Sequence, residues 1–125
     1  MNSGIKILIA EDDKYLRNAM RVKLEKSGFT VITVGDGQEA IDQIKASIPA
    51  LVVLDLLMPV KDGFTVLQEI KNDPAAQKIP VIVASNLGQK EDIDKAMHLG
   101  AIDYIIKTNM TLGELVEKIT KFIPK

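Results

Sequence analysis

The chain has 125 residues, the size of one domain, and contains no cysteine, which excludes disulfides, thiolate chemistry and cysteine metal knuckles. Lys and Arg number 16 against 17 Asp and Glu, so the formal charge is −1, without the basic excess of an autonomous nucleic-acid binder. No apolar run approaches the roughly 20 residues of a membrane span, and a cytoplasmic location suits the composition.

The first apolar segment, Ile5–Ala10, is short and rich in β-branched residues, and reads as a strand. It ends in three acids, Glu11, Asp12 and Asp13. Leu16, Ala19, Met20, Lys23 and Leu24 then recur at helical spacing, and Gly28 sits where that helix should stop. Thr30–Val34 reads as a second strand and ends in nothing reactive. Asp36 and Glu39 have capping-box spacing ahead of a second stripe, Ala40, Ile41, Ile44 and Ile48. The third strand, Leu51–Leu54, runs into Asp55, and Phe64, Leu67, Ile70 and Lys71 mark a third helix. Val81–Ala84 runs into Ser85. A fourth helical stripe follows at Ile93, Ala96, Met97 and Gly100, with Gly100 as its stop. Tyr104–Ile106 runs into Lys107. Thr111 and Glu114 repeat the capping-box spacing before the clearest stripe, Leu112, Leu115, Val116, Ile119 and Phe122. Pro49, Pro80 and Pro124 fall outside these elements, where a missing N–H costs little.

Aromatics are 4% of the chain, while Ile, Leu and Val number 16, 12 and 10. Several strands are apolar at nearly every position, which implies burial on both faces and hence a parallel sheet. The order βα repeats five times. We therefore expect residues 1–125 to form one α/β domain, a doubly wound (βα)5 fold with a five-stranded parallel sheet covered by helices on both faces.

Ligands bind such sheets at the carboxyl ends of the strands. Those ends carry Glu11, Asp12, Asp55, Ser85 and Lys107, and a strand order of 2-1-3-4-5 would point all of them into one cleft. Carboxylates crowded together raise each other's proton affinity unless a cation intervenes. Lys107 supplies one positive charge, and a hard divalent cation would supply the rest. Mg²⁺ takes one or two carboxylates, waters and phosphate oxygens. Asp55 could then act as a nucleophile that forms an aspartyl phosphate, with Lys107 and the Ser85 hydroxyl taking charge from the phosphoryl oxygens.

The run Asp55-Leu56-Leu57-Met58-Pro59-Val60-Lys61-Asp62-Gly63 resembles the phosphoacceptor loop of response regulator receiver domains, the CheY-like family of two-component systems. Asp55 lies 43 residues after Asp12, 30 before Ser85 and 52 before Lys107, and these spacings match as well. The resemblance covers the whole chain. It implies the flavodoxin/CheY-like strand order 2-1-3-4-5 and a signalling phosphoacceptor, not an enzyme. Asp55 would accept a phosphoryl group from a sensor histidine kinase or a histidine phosphotransfer protein. Glu11, Asp12, Asp55 and the Leu57 carbonyl would hold Mg²⁺, and Asp13 would start the first helix. Lys107 would contact the phosphoryl group. Ser85 would be the switch hydroxyl and Tyr104 the switch aromatic, whose ring turns inward as the face of helix four, strand five and helix five changes shape. The kinase would be expected to dock near helix one.

The chain departs from the family pattern in places. Thr108 follows the lysine where the family usually has a cis proline. A non-proline cis bond costs roughly 2.5–4 kcal/mol, so a trans bond or a rearranged loop is expected. Asn86 follows Ser85 where a small residue is common, which predicts narrower access to Asp55 for small phosphodonors. Leu57 and Leu87, each two residues beyond a key position, cannot orient an attacking water. Slow self-dephosphorylation is therefore expected.

Taken singly, these residues have plainer readings. Acids near a helix start cap N–H groups, a strand-end lysine is usually solvated, Ser85-Asn86 is ordinary loop chemistry, and Tyr104 could simply pack. Only their coincidence at the strand ends of one sheet points to phosphoryl chemistry. His98, the only histidine, reads as a surface residue late in helix four, and Lys118, Lys121 and Lys125 as dipole and solubility charges. A haloacid-dehalogenase-like phosphatase would need an Asp at position 57, which is Leu. A nucleotide or flavin binder would need a phosphate cradle where Glu11-Asp12-Asp13 stands. A receiver-like scaffold that is never phosphorylated and a receiver fragment of a larger response regulator or hybrid kinase are the remaining alternatives. No effector domain fits within 125 residues. The output is therefore expected to be protein binding, onward transfer, or an effector domain outside this stretch. Lys95, Asp103, Glu114 and Lys118 could support a phosphorylation-dependent homodimer.

Overall fold

The computed structural model describes residues 4–123. Pro124 and Lys125 therefore lie outside the described residues. The elements alternate as β1 (Lys6–Ala10), α1 (Lys14–Lys26), β2 (Thr30–Val34), α2 (Gly37–Ala46), β3 (Leu51–Leu54), α3 (Gly63–Asn72), β4 (Val81–Ser85), α4 (Lys90–His98), β5 (Asp103–Ile106) and α5 (Leu112–Phe122). All pairings in the sheet are parallel, and the strand order is β2-β1-β3-β4-β5. The expected doubly wound (βα)5 architecture is thus what the chain adopts.

The alternation of side chains along each buried strand sends neighbours to opposite faces. Leu8, Ala10, Val52, Leu54, Val81 and Val83 meet Ile41 and Ile44 of α2, Val66, Leu67 and Ile70 of α3, and Ala96 of α4. Ile7, Ile9, Leu51, Val53, Ile82 and Ile105 meet Met20 and Leu24 of α1 and Leu115 and Ile119 of α5. Each fully buried aliphatic side chain contributes roughly 1.5–3 kcal/mol against exposure, so β1 and β3 at the sheet centre anchor the strand ends where the acids stand.

Helix starts follow the expected chemistry. Asp13 caps α1 by accepting from the Tyr15 and Leu16 N–H groups at 2.9 and 3.1 Å. Asp36 accepts from Glu39 N–H, and Thr111 and Glu114 form a complete capping box. Gly28 and Gly100 hold left-handed φ of 96° and 107° just past α1 and α4.

Two apolar members of the helical stripes are exposed. Ile48 is half exposed, because α2 ends at Ala46 and the residue before Pro49 is held away from helical dihedrals. Met97 is also exposed, leaving Ala96 as the buried residue of α4.

Candidate phosphoacceptor site

Parallel pairing with no offset at the carboxyl ends stacks Ala10, Leu54 and Val83 side by side. The residues just beyond them therefore emerge together. Glu11 and Asp55 are buried, at 1% and 3% exposure, and Asp12 is exposed. One oxygen from each of Glu11, Asp12 and Asp55 lies within 4.8 Å of the others. Lys107 enters from the end of β5. Its ammonium donates to Asp55 Oδ2 at 2.9 Å and is ion-paired with Glu11 Oε1.

Local bonds fix these groups. Glu11 Oε2 accepts from the Asp13 N–H at 3.0 Å, and Asp55 Oδ1 accepts from the Leu57 N–H at 3.3 Å. The Arg17 guanidinium donates to the Glu11 carbonyl at 2.9 Å. Gly35 leaves room for it, since a Cβ there would stand 2.8 Å from Arg17 Nη1. Neither Arg17 nor Gly35 stood out in the sequence, because their link runs between helix α1 and the end of β2.

Three carboxylates face one ammonium here. Burial pushes the Glu11 carboxyl from 4.5 up to about 7, and the Asp55 charge adds to this, against the pull of Lys107 and the Asp13 N–H. Burial alone would lower the Lys107 ammonium, but its bonds to Glu11 and Asp55 outweigh that and raise it. Glu11 Oε1, though paired with Lys107, is buried without an aligned hydrogen bond. A hard divalent cation fits this oxygen-only donor set with its excess of negative charge.

Ser85 is fully buried at the end of β4, and its hydroxyl accepts from the Leu87 N–H at 3.3 Å. Tyr104 is half-buried with its ring against the core on the α3 side. Its hydroxyl donates to the Leu87 carbonyl at 2.5 Å. Burial raises the Tyr104 hydroxyl, Asp92 and Asp55 add to this, and Ser85 opposes it. Ser85 and Tyr104 thus share the β4–α4 loop as a neighbour, while Glu11, Asp12, Asp55 and Lys107 form the charged cluster. Lys107–Asn109 make one turn of 3₁₀ helix, and no peptide bond among the described residues is cis. His98 is exposed at the end of α4.

Five parallel strands in this order, with acids at the ends of β1 and β3 and a lysine at the end of β5, are the arrangement of the CheY-like flavodoxin fold. Residues 7–120 match the family model of the response regulator receiver domain, and the chain belongs to that family. It is 36% identical over 102 residues to a probable transcriptional regulator, ycf27, of Guillardia theta, covering 82% of this chain and 39% of that protein. The chain thus spans about two-fifths of the length of that curated relative. The phosphorylated cyanobacterial phytochrome response regulator RcpA superposes with a TM-score of 0.82 at 34% identity, covering 97% of this chain and 91% of that one. The Mn²⁺-bound form of response regulator Rcp1 gives 0.85 at 28%, covering 96% and 99%. Among the described residues no helix is long and apolar enough to cross a membrane.

Proposed function

We propose that residues 1–125 act as a single phosphoacceptor module, with Asp55 taking a phosphoryl group from a sensor histidine kinase or a histidine phosphotransfer protein. The observation that carries this reading is the Lys107 ammonium held on both Asp55 and Glu11 inside a buried acid cluster. An Asp55 carboxylate oxygen attacks phosphorus. The P–N bond to the donor histidine breaks, and its electron pair leaves on the imidazole. Lys107 stays beside the new acyl phosphate and takes charge from a phosphoryl oxygen. Glu11, Asp12, Asp55 and the Leu57 carbonyl would hold Mg²⁺, which when bound neutralises phosphoryl charge.

Ser85 and Tyr104 carry the change outward. The Ser85 hydroxyl gives up the Leu87 N–H to reach the phosphoryl group, and this biases the Tyr104–Leu87 contact and the α4–β5–α5 face. That face then selects a downstream protein target, an effector domain or a second copy of the chain. The module is cytoplasmic, binds no nucleic acid or membrane directly, and performs no turnover beyond its own phosphorylation and dephosphorylation. With Leu57 exposed and Leu87 half-buried beside the site, no side chain at either position orients a hydrolytic water, so the acyl phosphate is long-lived.

Intact mass after incubation with Mg²⁺ and acetyl phosphate tests this, beside Asp55→Asn. One phosphoryl adduct on the wild type, absent from the variant and lost over tens of minutes, is expected. If neither acetyl phosphate nor beryllofluoride with Mg²⁺ changes the domain, it is a scaffold.

A further inference from the structure

We propose that Arg17 is a positioning residue for the candidate cation site and that Gly35 holds the space it needs, a reading that rests on Glu11, Asp12 and Asp55 binding a divalent cation. Asp12 is exposed and makes no hydrogen bond or ion pair of its own among the described residues. The peptide groups on either side of it therefore set where its carboxylate points. The one after it is held by the Asp13 N–H on Glu11 Oε2 at 3.0 Å. The one before it is held at the Glu11 carbonyl, which accepts from Arg17 Nη1 at 2.9 Å. Arg17 is itself rooted in the first turn of α1, where its N–H donates to the Asp13 carbonyl at 2.9 Å. The helix that begins directly after the acids thus reaches back and fixes the chain that carries them.

Charge does not account for this arginine. Arg17 forms no ion pair among the described residues, while Arg21, one turn along the same helix, takes Glu25 at 2.8 Å. A guanidinium beside an acid cluster weakens its attraction for another cation. As a charge, Arg17 works against the metal. As a hydrogen-bond donor it occupies a carbonyl just past the end of β1, outside the sheet ladder, that would otherwise be free to turn.

Gly35 supplies an independent observation. It is not among the glycines at positive φ, which are Gly4, Gly28 and Gly100, so its backbone suits alanine as well. A Cβ on Gly35 would stand 2.8 Å from Arg17 Nη1 and 3.7 Å from its Cζ, and would meet nothing else within 4 Å beyond its chain neighbours. The group that this glycine makes way for is the guanidinium. The end of β2 thereby keeps the bond to the Glu11 carbonyl open, and groups that orient metal ligands from behind typically change metal affinity about 10–100-fold.

The two residues separate position from charge. Arg17→Met removes both the bond and the cation. Gly35→Ala displaces the far end of a flexible side chain and leaves its charge in place. Mg²⁺ is titrated into the ¹⁵N-labelled full chain, freed of metal with chelator, and the Kd is read from amide shifts. Each variant should raise the Kd about tenfold, and the double variant should stay within twofold of the weaker single one, since both act through one bond. Gly35→Ala should keep the wild-type urea midpoint measured with chelator. A tighter or unchanged Kd in Arg17→Met would make the arginine a charge only and overturn the proposal. So would an unchanged Kd in Gly35→Ala, losses that multiply in the double variant, or a fall in the Gly35→Ala urea midpoint that accompanies its loss of affinity. If the wild type shows no saturable Mg²⁺ shift, the cation reading itself fails.

Discussion

Gly63 allows the loop after Asp55 to lie against the start of α3. A Cβ there would stand 2.2 Å from the Asp55 carbonyl oxygen and 2.6 Å from the Leu56 Cα. Both are backbone atoms, so no rotamer change relieves the contact. Gly63 serves by its size, and its own N–H closes the loop onto the Leu56 carbonyl at 2.9 Å. Gly63→Ala should destabilise the domain by about 1–3 kcal/mol, the range for forced overpacking, and should slow acetyl phosphate labelling because the strain falls on Asp55. Urea denaturation with an unchanged midpoint would show that the loop yields instead. The residues of the site were legible at this scale, since each side chain brings its own chemistry. The backbone at Val60, which has φ of 70°, was not. Pro59 fixes its own φ, but nothing in a Pro-Val-Lys run announces a reversal at the β-branched residue, and propensity argues against one.

At the scale of elements, α4 and α5 flank β5 but are held differently. Thr111 accepts from the Glu114 N–H at 3.2 Å, and Glu114 accepts from the Thr111 N–H at 3.2 Å. Leu115 and Ile119 are buried below. In α4 the N-cap Gln89 makes no side-chain cap bond, and Ala96 is the buried residue. Lys95 also reaches from α4 over the Phe64 ring at 4.3 Å, a contact worth about 0.5–1 kcal/mol at an exposed site. Thr111→Ala should cost about 1 kcal/mol by removing the cap. Amide exchange should open α4 well before α5. Equal protection of the two helices would contradict that ranking. The stripe read for α4 fell short for a related reason. Spacing tells which residues share a face of the helix, but not how far the neighbouring layer covers it, and here coverage stops at Ala96 and leaves Met97 exposed.

The alternation of strands and helices was legible across the whole molecule, because strands buried on both faces lose their polar positions while helices keep theirs. Alternation alone leaves the strand order open. The order 2-1-3-4-5 was what the resemblance to receiver domains implied; it gathers Glu11, Asp12, Asp55 and Lys107 into one cleft, and the sheet adopts it. That gathering concentrates negative charge at one end of a chain whose overall formal charge is only −1. The fold thus carries a local repulsion that a divalent cation bound there would relieve, and that relief would appear as global stability, since the unfolded chain has no such site. At a Mg²⁺ concentration ten times its Kd, the gain is about 1.4 kcal/mol, or about 4–6 °C in Tm for a domain of this size. Asp12→Asn should raise Tm without metal, because an exposed carboxylate leaves the cluster, and should abolish most of the Mg²⁺ shift. Thermal scans with Mg²⁺, with chelator and with NaCl at matched ionic strength separate this from screening. A shift reproduced by NaCl, or kept in full by Asp12→Asn, would place the stabilising cation elsewhere than between Glu11, Asp12 and Asp55.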